Sequence, residues 1–209
     1  MRTLWLAACC GLLAAADGGT EIRLLAGGYP GYREVQYDGD EHRTLALDDD
    51  RGFSIQGEAV LRYDTGSPVH PWLLAGGAVR FTDAMDETGS EHAVVAYTWL
   101  LGTGLGARLG KHIIIEAGVV GALGDAGVAD QRIDAVSMEE SNWCVGGEVR
   151  VGLWLEYDRV LLGAVAGWAA HTTLSEFYDR DDAEHDVRLE SAYEGDGGFV
   201  LVGVGFRLD

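Results

Sequence analysis

Glu58, Arg62, Arg108, Glu116, Glu148 and Arg150, with Arg23 and Arg80, stand in otherwise apolar segments, in phase with small residues two positions away. Two-residue spacing puts such groups on one face of an extended strand, because successive side chains point to opposite sides. Carboxylates and guanidiniums collected on one face have two chemistries open to them: a static network of ion pairs, or a path along which ions pass through gated pairs. Either way they must meet one another, since a charge taken out of water has to be paired. Other reactive groups are sparser. His42, His70, His92, His112, His171 and His185 are scattered without metal-ligand spacing. His171 and Thr173 raise the question of a base beside a hydroxyl nucleophile. Asp48, Asp49 and Asp50, and the later run Glu176, Asp179, Asp181, Asp182, Glu184 and Asp186, offer oxygen ligands but lack EF-hand spacing. These runs read as solvated acidic loops, open to diffuse divalent cations, and no cofactor or metal centre is expected.

The elements that carry these residues follow from the same period. Eight alternating segments stand out near 20–29, 52–64, 70–82, 93–108, 111–124, 142–157, 159–173 and 197–208. The sixth is the clearest, with Trp143, Val145, Val149, Val151, Leu153, Leu155 and Tyr157 on one face and Cys144, Glu148, Arg150 and Glu156 on the other. In the third, Arg80 falls in phase with Trp72 and Leu74, so its faces stay ambiguous. Residues 98–124 are apolar enough to suggest a membrane helix, but Gly102, Gly104, Gly106, Arg108, Lys111 and Glu116 interrupt them at strand spacing.

Composition and charge narrow the function classes. The chain has 209 residues, 34 acidic against 15 basic, for a net charge of −19, which excludes a phosphate-backbone binder and with it nucleic acid as a partner. Met1 and Arg2 precede an apolar run to Ala16, the layout of a signal peptide over 1–16, leaving 17–209 as one domain. Its removal would take Cys9 and Cys10 away and leave Cys144 alone, so no disulfide framework is expected.

Connections after segments two, four and six are a few residues long, whereas those after one, three, five and seven are long. Charge segregates with them. The long connections (30–51, 83–92, 125–141 and 174–196) hold 25 acids and 6 bases. Together these features predict an all-β fold, an eight-stranded antiparallel up-and-down transmembrane β-barrel in a bacterial outer membrane, with acidic loops outside and the charged face in the lumen. A soluble lipocalin-like ligand-binding barrel would share the alternation but turn its apolar face inward.

The final segment ends Gly203, Val204, Gly205, Phe206, Arg207, Leu208. Gly203 three before Phe206 and an apolar residue two further on resemble the C-terminal signal by which outer-membrane proteins are recognised for assembly. With the signal peptide, the eight segments and aromatic residues near strand ends (Phe53, Tyr63, Trp143, Tyr157, Trp168, Phe206), the chain resembles the small OmpA/OmpX-type β-barrel superfamily. That resemblance implies partners: outer-membrane lipid and lipopolysaccharide around the barrel, and the barrel assembly machinery through the C-terminal strand. It implies a structural, adhesion or surface-interaction role through the acidic loops. A narrow pore for small solutes is one alternative. A lipid A-modifying enzyme is another, resembling the eight-stranded lipid A deacylases at His171, but Thr173 stands where they carry Ser, so no enzyme activity is expected. The mature protein should fractionate with outer membranes and migrate differently in SDS before and after boiling. Recovery as a soluble monomer would instead invert the two faces and favour the lipocalin-like alternative.

Overall fold

The structure is a computed structural model, which describes residues 19–38, 41–45, 51–85, 91–130, 138–173, 177–178 and 190–208. Residues 1–16, expected to be a signal peptide, and the acidic positions Asp48–Asp50, Glu176, Asp179, Asp181, Asp182, Glu184 and Asp186 lie outside the described residues.

The strands are β1 (Thr20–Pro30), β2 (Arg33–Asp38), β3 (Glu41–Leu45), β4 (Arg51–Arg62), β5 (Val69–Met85), β6 (Glu91–Leu109), β7 (Ile113–Asp130), β8 (Met138–Tyr157), β9 (Val160–Thr173), β10 (Phe177–Tyr178) and β11 (Glu190–Leu208). β1, β4, β5, β6, β7, β8, β9 and β11 pair in that order, all antiparallel, and β11 pairs back onto β1, closing an eight-stranded barrel. Tracing paired residues once around from Leu109 through Ile113, Leu155, Leu162, Val204, Leu24, Gly57 and Gly77 re-enters β6 at Trp99, ten residues along the strand. A stagger of that size over eight strands fixes a steep tilt, roughly 35–45°, and a bore that side chains can fill.

The alternation read from the sequence sets which face goes where. Trp99, Leu101, Leu105, Val149, Val151, Leu153 and Leu155 stand on the outside, with Trp99 73% exposed, while Glu21, Arg23, Glu58, Arg80 and Glu148 are at most 2% exposed. An apolar exterior around a charged interior is unstable in water and suited to lipid; it is the reverse of the lipocalin-like arrangement. In β5 the ambiguity resolves with Trp72, Leu74, Ala78, Arg80 and Thr82 all inward. The inward face is thus a filled core rather than a polar surface. At the loop-side margin Tyr97 pairs with Asp125 and Asp125 with Trp143, all three exposed, so the apolar band ends there in aromatic rings and a carboxylate.

Strands reach beyond the eight predicted segments on the loop side. β5, β6, β7, β8 and β11 run 17–20 residues, against the ~9–11 a tilted strand needs to cross a bilayer. A β2–β3 hairpin also lies in what reads as a loop from sequence, with β2 pairing onto the upper part of β11. Once above the lipid, a strand no longer needs an apolar face, so its charged residues mask it. At the other end Asp158 takes φ 59° in a two-residue turn between the paired Tyr157 and Val160, the left-handed conformation such hairpins require.

Inward glycines make room for large rings. A Cβ on Gly104 or Gly118 would overlap the Trp72 indole, and one on Gly163 would stand 2.6 Å from Trp154 Cε3. Gly118→Ala is therefore expected to destabilise the barrel by about 1–3 kcal/mol, as over-packing does, in reversible urea unfolding from lipid vesicles. Gly121→Ala is the control: its Cβ would face outward, 3.8 Å from the Leu101 carbonyl oxygen, and little change is expected.

Candidate functional site

The lumen holds two tiers of charge. Nearer the short turns, Arg23 from β1 spans the bore to Glu116 on β7 with two parallel bonds of 2.8 Å and also donates to Glu21 at 2.6 Å. Arg62 donates to the other oxygen of Glu21 at 2.6 Å and bonds Glu116. Arg207 reaches Glu21 at 3.3 Å and pairs with Glu156, which Arg108 meets at 2.6 Å. The Trp154 indole N–H donates to Glu116 at 3.1 Å while the Arg23 guanidinium lies 4.2 Å above the same ring. Glu21 and Glu116 each accept more than one charge-assisted bond, the arrangement that lets buried ions persist.

Toward the loops, Arg150 on β8 donates to Glu58 on β4 at 2.6 Å, and Arg80 on β5 donates to Glu148 on β8 at 3.0 Å. The Tyr29 hydroxyl donates to Glu148 at 2.8 Å, and its ring lies beneath Arg80 at 4.4 Å. Trp72, Leu74, Leu100 and Val120 pack on one side of the bore, and Leu25, Leu161, Val165 and Leu201 on the other, filling the space around the two tiers. Tyr32, Val94, Ala96, Ala126 and Cys144 form a third cluster. Tyr32 sits above with its hydroxyl 3.6 Å from the buried thiol of Cys144.

Of the eight residues read from the sequence as an interior charge network, Arg23, Glu58, Arg62, Arg80, Glu116, Glu148 and Arg150 are buried in the lumen. Arg23, Arg62 and Glu116 meet in one tier and Glu58, Arg80, Glu148 and Arg150 in the other; Arg108 joins Glu156 at the turn-side mouth, with its side chain 34% exposed. Sequence reasoning left Glu21, Glu156 and Arg207 out of that set. Glu21 stands two residues before Arg23 and Arg207 two after Gly205, so phase alone would have included them; a charge at a strand end reads instead as a boundary. His171 is buried in the bore, its Nδ1 3.3 Å from Arg80 and its ring stacked on Tyr29 at 5.1 Å. It faces away from the lipid that a lipid A-modifying base would have to reach. Among the described residues no group of three or more His, Cys, Asp or Glu is arranged to hold a metal.

Arg150→Met strands the buried Glu58 without its partner, and such single removals cost about 3–5 kcal/mol. Arg150→Met combined with Glu58→Met should recover most of that loss. A double-mutant cycle from urea unfolding, with Glu58→Met as the other single variant, tests the pair, and a double loss equal to the sum of the two single losses would show that it contributes no coupling.

No protein-family model and no curated protein matches the chain. Solved structures similar to it include Ail, the attachment invasion locus protein of Yersinia pestis, at 13% identity over 91% of this chain and 99% of that one, with a TM-score of 0.43. Neisserial surface protein A matches at 12% identity over 89% and 99%, TM-score 0.43. The outer membrane protein OprG from Pseudomonas aeruginosa matches at 10% identity over 92% and 97%, TM-score 0.48. With eight strands closed at a stagger of ten, lipid-compatible side chains outside and paired charges inside, the chain has the architecture of a small eight-stranded outer-membrane β-barrel.

Proposed function

We propose that this protein is a closed, non-enzymatic outer-membrane barrel that works through its loop side, in adhesion, surface interaction or maintenance of the envelope. The observation that carries this reading is the filled bore. Two tiers of ion pairs and three apolar clusters occupy it from the turn-side mouth to Tyr32. Strands of 17–20 residues support the second half of the reading, since they lift the acidic connections clear of the lipid. With 25 acids against 6 bases in those connections, the surface favours cationic ligands, including divalent cations, and disfavours nucleic acid. The apolar belt would contact lipid and lipopolysaccharide, and β11, the last strand of the ring, would be the strand offered to the assembly machinery.

Planar lipid bilayers test the closed bore. Purified barrel is expected to give no steady single-channel steps at neutral pH. A stable conductance that Arg150→Met or Arg80→Met enlarges would instead establish the narrow pore. In cells, lipid A is expected to be unchanged between the wild type and His171→Ala; a deacylated species lost with that substitution would establish the enzyme.

A further inference from the structure

The two tiers differ in their charge balance. The loop-side tier sets Arg80 and Arg150 against Glu58 and Glu148, and is neutral. The turn-side tier sets Arg23, Arg62, Arg108 and Arg207 against Glu21, Glu116 and Glu156, leaving one positive charge over. That excess opens onto a cavity of about 460 Å³ at the turn-side mouth, lined by Arg62, Arg108, Arg207, His70, Asp64 and the turn at Ser67. The three carboxylates do not line it. They hold the guanidiniums from the lumen side, so that three arginines face the cavity against the single carboxylate of Asp64 among its lining residues. Arg207 Nε is buried with no hydrogen-bond partner among the described residues, and Arg62 Nη1 faces only the ring nitrogen of His70, at 3.1 Å. Asp64 lines the cavity, but one of its oxygens accepts the Gly66 N–H at 2.8 Å, inside its own turn. Among the described residues, the remaining charged groups at this end, Lys111, Asp158 and Arg159, are exposed on the turns and add one more base than acid.

We propose that this mouth binds a phosphate oxyanion. Guanidinium forks match the oxygens of phosphate, and a site anchored from behind by carboxylates is pre-organised, so little side-chain freedom is lost on binding. Tyr63, which also lines the cavity, is part-exposed on the outer wall. The cavity therefore meets the lipid at the margin that faces the periplasm in barrels of this class. Two sources present the same chemistry there: a phospholipid headgroup of the inner leaflet and free phosphate.

The test uses the folded barrel in a maltoside detergent without phosphate, titrated with sodium phosphate at constant ionic strength against sodium chloride. Amide and arginine Nε–H resonances are followed by NMR. The expected result is a saturable displacement at Gly19, Gly66, Val69 and Arg207 Nε that chloride does not produce. Arg108→Gln with Arg207→Gln should weaken it at least about tenfold, with retained heat-modifiable mobility showing that the barrel has folded. Ser67→Asp, which adds a carboxylate to the cavity rim without removing an arginine, should weaken it similarly and covers the case in which the arginine variant fails to assemble. In phosphatidylcholine nanodiscs, resonances already displaced before phosphate is added identify the headgroup as the source; resonances that still titrate identify free phosphate. A displacement that does not saturate, that chloride reproduces, or that survives both variants overturns the proposal.

Discussion

Closure of the strand ring is the constraint from which the rest follows. In hydrocarbon an unpaired backbone N–H or C=O costs several kcal/mol, so a sheet can cross lipid only if its first and last strands find each other. Here the pairing of β1 with β11, from Thr20 opposite Leu208 to Gly28 opposite Val200, completes that circuit. Eight strands and a stagger of ten then leave a bore only as wide as the side chains that fill it. Every inward residue must either pack or pair. The charged tiers and the apolar clusters are two answers to one packing problem.

The ion pairs do more than neutralise one another. Arg23 links β1 to β7, Arg62 links β4 to β1 and β7, and Arg150 links β8 to β4. Arg62–Glu21 joins the neighbouring strands β4 and β1; the links from β1 to β7, β4 to β7 and β8 to β4 join strands that do not pair, and act as spokes across a ring whose rim is the hydrogen-bond ladder. Replacing a spoke by two apolar residues of similar volume is tolerable in energy, whereas cutting it on one side is not. The glycines at 104, 118, 146 and 163 serve the same filling requirement from the opposite direction, giving up their own volume to Trp72, His171 and Trp154.

Much of this was legible in the sequence because two faces in two media leave a two-residue rhythm, as in Trp143–Tyr157. The barrel, its apolar exterior and the interior position of seven charged residues all follow from that rhythm. What stayed hidden has physical causes. Trp72 and Leu74 share a face with Arg80 because a narrow bore needs oil as well as charge, so one strand's hydropathy does not identify its inner side. Which glutamate meets which arginine depends on the stagger accumulated across several strands, and a single sequence does not carry that number. The extension of β6 to Glu91 and of β8 through Glu139 and Glu140 was hidden because a strand outside the lipid loses its rhythm while keeping its ladder.

β11 serves two partners along one edge. Its lower part closes the ring against β1, and its upper part, from Glu190 to Glu194, carries the β2–β3 hairpin formed by residues near the start of the domain. Among the described residues, β2 pairs only with β3 and β11, and β3 only with β2. The earliest surface feature in the chain thus waits for the last strand to arrive. An antibody or partner that recognises the docked hairpin would read completion of the barrel itself, and half-inserted chains would be silent to it.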